Sequence, residues 1–221
     1  MINKKAEAMD VPWRDNGISR IKPEVRNFFE PYIDMVEGNV VFPYALENHV
    51  VDQEHWGENG LRIPVSKGMW LVTDSLPVSV THLFIGHSAS DLLCFCHYHP
   101  NWVDPPCLSA FASLGLLPTK EQFIWLKSHF PNAKIHTVFD AVISGRVADC
   151  KVAAWQLGKN ARFSLANDHG EFYYNKKKYR IPISIFSLSR FEKLSGIRSG
   201  IRTHKPKAPF ETFYQSFTNM G

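Results

Sequence analysis

The spacing of apolar positions changes twice along this chain, and the changes divide it. Over 23–36, Val25, Phe28, Phe29, Tyr32, Ile33 and Val36 recur at mixed three- and four-residue intervals, which predicts one helix, shortened or kinked because Pro31 lies inside it. From residue 39 strand-like runs take over at 40–44, 50–56 and 61–65, the last leading to 68–71, with polar turns at 47–49 and 57–60 between them. Such runs joined by tight turns predict a small antiparallel meander. After Pro77 strand and helix alternate. Strands are expected at 82–86, 107–112, 134–139 and 161–165, and helices at 90–97, 119–130 and 144–157. Thr119 is a cap for the second helix, whose apolar face is Phe123, Ile124, Leu126 and Phe130; the third carries Val147, Cys150, Ala154 and Leu157 on one stripe and stops at Gly158. Alternation of this kind predicts an α/β fold, a largely parallel sheet flanked by helices and preceded by the small meander. Beyond residue 167, the stretch 171–183 alternates like a hairpin turning at 175–177, and a short helix follows at 189–194. The tail from Gly196 is basic and ends in Phe210, Phe213, Tyr214 and Phe217, as a wrapped arm or a partly disordered one. The expected organisation is 1–76 (helix and small β region), 77–168 (α/β core) and 169–221 (hairpin, short helix, basic arm).

In parallel α/β sheets, ligands gather at the carboxyl edge, where loops and helix N-termini converge. Two polar turns fall there. His87, Ser88, Ala89, Ser90 and Asp91 follow the first strand of the alternating region, and Asp140, Gly145 and Arg146 follow the third. If those strands are neighbours, His87, Asp91 and Asp140 face one cleft. Asp91 also fits the simpler role of an acid in the first turn of a helix.

The runs Phe84-Ile85-Gly86-His87-Ser88-Ala89-Ser90-Asp91 and Val138-Phe139-Asp140-Ala141-Val142-Ile143-Ser144-Gly145-Arg146 resemble the Toprim family, the fold of primases and topoisomerases, and in particular the Toprim-like domains of bacterial mobilisation and relaxase-associated proteins. The resemblance covers roughly residues 40–165. In that family a strand ends in Glu before a Ser-Ala-x-Asp turn, and a later strand ends in Asp-x-Asp before a Gly that opens a helix. The resemblance implies acid-base chemistry by the Glu and magnesium held by it and the aspartates. This chain departs from the pattern at both places, with His87 for the Glu and Val142 for the second Asp. Magnesium demands oxygen ligands, and Asp140 alone is a poor cage, with Asp91 a weak addition. No magnesium or other cofactor is therefore expected, nor metal-dependent strand or nucleotidyl transfer. The expectation is a non-catalytic Toprim-like protein of a DNA-processing or mobile-element setting, binding nucleic acid or a partner protein. Two alternatives stand beside it: a protein-interaction module with a vestigial cleft and a docking aromatic tail, and a metal-dependent phosphodiesterase or nuclease using His87 and Asp140.

Charge sharpens the nucleic-acid reading. The formal net charge is only +4, yet residues 176–207 hold ten Lys and Arg against one acid, Glu192. Such a patch attracts phosphates through counterion release, although a solvated basic face is an equally ordinary outcome. Arg146, Lys176, Lys177, Lys178, Arg198, Arg202 and Lys205 are the candidate phosphate contacts.

The remaining features are expected to be structural. The four cysteines suggest reduced thiols. Cys94, Cys96, His97, His99 and Cys107 are zinc-type ligands in an unsuitable spacing. Trp70, Trp125 and Trp155 are expected in the core, whereas Trp56 and Trp102 are expected in loops. No apolar run approaches the roughly 20 residues that cross a bilayer, and the start lacks the apolar block of a secretory signal, so the expectation is a cytoplasmic protein with no membrane partner.

Overall fold

The computed structural model describes residues 17–58, 60–105 and 107–219. The polar start of the chain, on which the expected cytoplasmic location rests, lies outside them, as does Asn59 of the expected 57–60 turn. Helix α1 (Pro23–Phe29) begins on a proline at its first position and ends early, because Pro31 has no amide hydrogen to continue the ladder. The expected helix to residue 36 is thus replaced at its end by β1 (Asp34–Val36), which turns through Glu37 and Gly38, both at positive φ, and pairs antiparallel with β2 (Asn39–Leu46). Glu47 and Asn48, also at positive φ, make the two-residue turn to β3 (His49–Gly57), and β4 (Gly60–Arg62) completes a four-stranded meander. The segment following it does not extend that meander. It supplies β5 (Trp70–Val72), an antiparallel edge of the central sheet.

That sheet has the order β12-β8-β6-β7-β5. Strand β6 (His82–Gly86) lies parallel to β7 (Ser109–Ser113) on one side and to β8 (Lys134–Val138) on the other. Helix α2 (Ala89–Tyr98) is capped by the Ser88 hydroxyl, and α3 (Lys120–His129) by a capping box of Thr119 and Gln122. Helix α4 (Ile143–Gln156) opens after β8, with no side chain capping its first amides. Period-two alternation sorts the strands between two cores. Phe84, Phe111 and Val138 join α2, α1 and the meander, while Leu83, Ile85, Ala112 and Ile135 join α3 and α4.

The expected fourth parallel strand is the main difference. Asn167 and Asp168 form a tight turn between β9 (Arg162–Ala166) and β10 (His169–Tyr174), and a two-residue connection permits only antiparallel pairing. With β11 (Lys177–Pro182), reached through the positive-φ pair Asn175 and Lys176, these strands form a separate sheet packed through Phe163, Phe172 and Ile181 on α4 and on α5 (Leu188–Ser195). The place beside β8 is taken instead by β12 (Arg202–Thr203) from the basic tail, parallel to it. The tail ends in α6 (Phe213–Asn219), whose Phe213 and Phe217 are buried against α2 and Trp56. Trp56, expected in a loop, is therefore core, and Trp125, expected in the core, is 47% exposed and stacked on His129. No helix among the described residues is long and apolar enough to cross a membrane.

Candidate functional site

Because β6 and β8 are adjacent and in register, the residues that follow them meet. His87 Nδ1 lies 3.6 Å from Asp140 Oδ2, and that buried nitrogen makes no hydrogen bond. The turn after β8 is tight: a Cβ on Gly145 would come within 2.2 Å of the Asp140 carbonyl oxygen, so only glycine lets α4 start there. Asp91, one turn into α2, is buried beside both strand tips. Its Oδ1 accepts the Tyr214 amide at 2.6 Å, and burial pushes its pKa up to about 8, with Asp140 and Glu54 nearby adding to the rise.

The other acids here are held by donors from the protein itself. Asp149, buried on α4, accepts the Thr137 hydroxyl at 2.7 Å and pairs with Lys205 Nζ at 2.8 Å; burial raises its pKa and the Lys205 ammonium opposes the rise. The same ammonium donates to the carbonyls of Phe139 at 2.8 Å and Asp140 at 3.0 Å. Lys205 reaches this position because β12 runs parallel to β8 and delivers residue 205 past its tip. Glu54 lies behind the tips on β3, wholly buried. Its carboxyl oxygens accept from the hydroxyls of Tyr44, Ser88 and Ser90 and from the amides of Ala89 and Ser90, all at 2.7–2.9 Å. It thereby binds the meander to the N-terminus of α2, where a carboxylate is favoured by the helix dipole.

A cleft of about 300 Å³ opens beside the tips, lined by Arg146, Asp149, Thr203, Lys205 and the segment 184–188. Arg146 spends its guanidinium on the carbonyls of Ala141, at 2.6 Å, and Phe186, at 3.2 Å. The structure thus brings His87, Asp91 and Asp140 together at the strand tips, but His87 and Asp91 are buried there, and the cleft beside them is lined by Arg146 and Lys205 rather than by these three. The structure leaves Lys176, Lys177 and Lys178 exposed at the β10–β11 turn, Arg198 exposed after α5, and Arg202 exposed on β12. Sequence reasoning missed Glu54, Asp149 and the partnership with Lys205. One signal was available: Glu54 stands two residues from Trp56 on one strand, so a buried Trp56 puts Glu54 on the same inward face.

The donor set does not fit a magnesium ion. Asp91 is shielded and drawn towards its protonated form, Asp149 faces an ammonium, and Asp140 stands opposite an imidazole. Among the described residues no group of three or more His, Cys, Asp or Glu is placed to hold a metal ion, the Cys94–His99 region included; Cys94 and Cys96 are buried, and burial holds their thiols well above the ordinary range.

Lys205→Met keeps the aliphatic stem and removes the charge from beside Asp149. The expected loss is about 2–3 kcal/mol at pH 7, less than for a fully enclosed pair because the ammonium is partly solvated. Urea denaturation of Lys205→Met, Asp149→Asn and the double variant checks it: the double variant should cost clearly less than the sum, and strict additivity would contradict the pairing.

No family model matches the chain, and no curated protein matches it in sequence. Among solved structures it is similar to the primase fragment of the bacteriophage T7 primase-helicase protein, with 13% identity and a TM-score of 0.46 over 90% of this chain and 66% of that one. A second similar chain belongs to a complex of bacteriophage T7 lagging-strand DNA polymerase with two primase domains bound to an RNA/DNA hybrid and dTTP, with 16% identity and a TM-score of 0.37 over 55% of this chain and 65% of that one. The chain spans less than two thirds of the length of either.

Proposed function

We propose that this chain is a Toprim-like nucleic-acid-binding protein of a DNA-processing setting in which an internal ammonium stands where metal chemistry would be done. The observation that carries the reading is Lys205. Its Nζ bonds two carbonyl oxygens at the tip of β8 and the carboxylate of Asp149, a set of oxygens a divalent cation would otherwise seek. A tethered cation satisfies those oxygens permanently. It also ties the basic tail to the cleft, leaving the exposed cations of 176–202 for phosphates.

Two measurements test this. Titration with magnesium or manganese should give no micromolar heat; a micromolar site abolished by Asp140→Ala would restore the enzyme reading with His87 and Asp140. Fluorescence anisotropy with labelled DNA and RNA should show binding that weakens steeply with salt. A flat titration at low salt, on folded protein, would overturn the reading.

A further inference from the structure

The outer face of the β9–β10–β11 sheet carries an aromatic ring set between cations. Side chains alternate across a strand, so Phe172 and Tyr174 point to α4 and α5, while Glu171 and Tyr173 lie on the other face, where Tyr173 is exposed and Glu171 is buried against its two cations. Register then fixes the outward neighbours. Tyr173 is opposite Arg162 on β9 and Lys178 on β11, and Glu171 is opposite Ser164 and Arg180. Strand spacing keeps each row within a span of about 10 Å. Tyr173 is 47% exposed and the Arg180 side chain 57%. Lys178 Nζ lies 5.7 Å from the Tyr173 ring centroid. The Glu171 carboxylate, paired with Lys178 at 2.7 Å and Arg180 at 3.1 Å, is held below the ordinary carboxylate range by Lys178 and fixes both cations in place.

We infer that this outer face, centred on Tyr173 and flanked by Arg162, Lys178 and Arg180, is a platform for single-stranded nucleic acid. This deepens the nucleic-acid reading above and rests on it. Three observations select the occupant. Over 159–180 there are six cations, the four-residue cluster Lys176, Lys177, Lys178 and Arg180 among them, against two carboxylates, Asp168 and Glu171, one of which is already neutralised. That charge calls for a polyanion. The exposed ring calls for an unpaired base, since a base in a duplex is already stacked on its neighbours and offers no free face. The ring also sits between cations rather than at an edge, so one strand can lay a base on Tyr173 while its phosphates reach Arg162 on one side and Lys178 or Arg180 on the other. An acidic peptide would satisfy the cations and leave the ring unused.

The test is fluorescence anisotropy with a labelled oligothymidylate of about 20 nucleotides, longer than one site. Tyr173→Ala should weaken binding about tenfold or more, and Tyr173→Phe should leave it within about twofold, because stacking needs the ring and not the hydroxyl. Arg180→Gln and Arg162→Gln should each reduce the slope of log affinity against log salt by about 0.7. A duplex of the same length should bind more weakly than the single strand at equal salt. Thermal melting establishes that each variant is folded. If the wild type binds but Tyr173→Ala binds equally well, or polyglutamate or duplex competes as effectively as the single strand, the platform is overturned while nucleic-acid binding stands. If the wild type does not bind at all, both fall.

Discussion

Glu54→Ala is expected to lower stability by about 4 kcal/mol, the largest effect of any single substitution outside the apolar core. Removing the carboxyl leaves three hydroxyls and two amides without their acceptor in a region closed to water. Each buried donor stranded in this way costs about 1–3 kcal/mol, partly relieved where a hydroxyl can rotate to a new partner. Glu54→Gln keeps the volume and one carbonyl oxygen, yet sets an NH2 group among donors, and about 2 kcal/mol should be lost. Chemical denaturation followed by circular dichroism distinguishes the cases. A loss under 1 kcal/mol for Glu54→Ala would mean that the junction between the meander and α2 does not depend on this group.

Acid is the second lever. His82 Nδ1 lies 3.0 Å from His136 Nε2, and His136 Nδ1 lies 2.9 Å from His204 Nε2, so three rings on β6, β8 and the tail form a row of N–H···N hydrogen bonds. Each bond in the row needs one unprotonated nitrogen as acceptor, so the row cannot carry a proton on every ring nitrogen. Burial first, then the neighbouring His204 and His82, lowers the His136 pKa to about 3; burial, then His99, Arg202 and Lys205, lowers that of His204 to about 4. Both folded values lie below the unfolded value of about 6.5. The unfolded chain therefore binds more protons below pH 6.5, and the contribution of these rings, complete above that pH, is lost as pH falls towards 4. Asp91 works in the opposite sense, because its folded pKa of about 8 exceeds the unfolded value, so stability from this group is lost as pH rises towards 8. Maximum stability is expected near pH 6.5. His136→Leu should flatten the acid limb between pH 6.5 and 4 by about 1 kcal/mol per pH unit. Superimposable wild-type and variant profiles over that interval would remove the row from the account.

How much of this could be read from the sequence follows from how local each determinant is. The meander, the three αβ repeats and the hairpin at 175–176 announce themselves through turns and period, which act within a few residues. The pairing of His87 with Asp140 was legible for the same reason: each ends a strand and opens a helix, and adjacent parallel strands bring such ends together. What failed was non-local. Whether β9 joins the parallel sheet depends on a two-residue turn at 167–168 and on β12 occupying the edge. Lys205 is expected from the sequence to contact phosphate, because nothing near it in sequence discloses Asp149, 56 positions earlier. Glu54 was hidden in a polar run, and Trp125 kept an apolar context on a helix whose buried face lies elsewhere.

The route of the final segment has a consequence for how the molecule comes into being. Residues 202–217 close the edge of β8, neutralise Asp149, complete the imidazole row and lay the Tyr214 amide on Asp91. All four tasks fall to one segment, far in sequence from the groups it completes. Until that segment docks, the protein carries an open strand edge on β8 and a buried carboxylate, Asp149, lacking its counterpart, a state prone to pairing with other chains. A chain truncated before residue 200 should therefore be a substrate for chaperones or proteases rather than a partly working molecule.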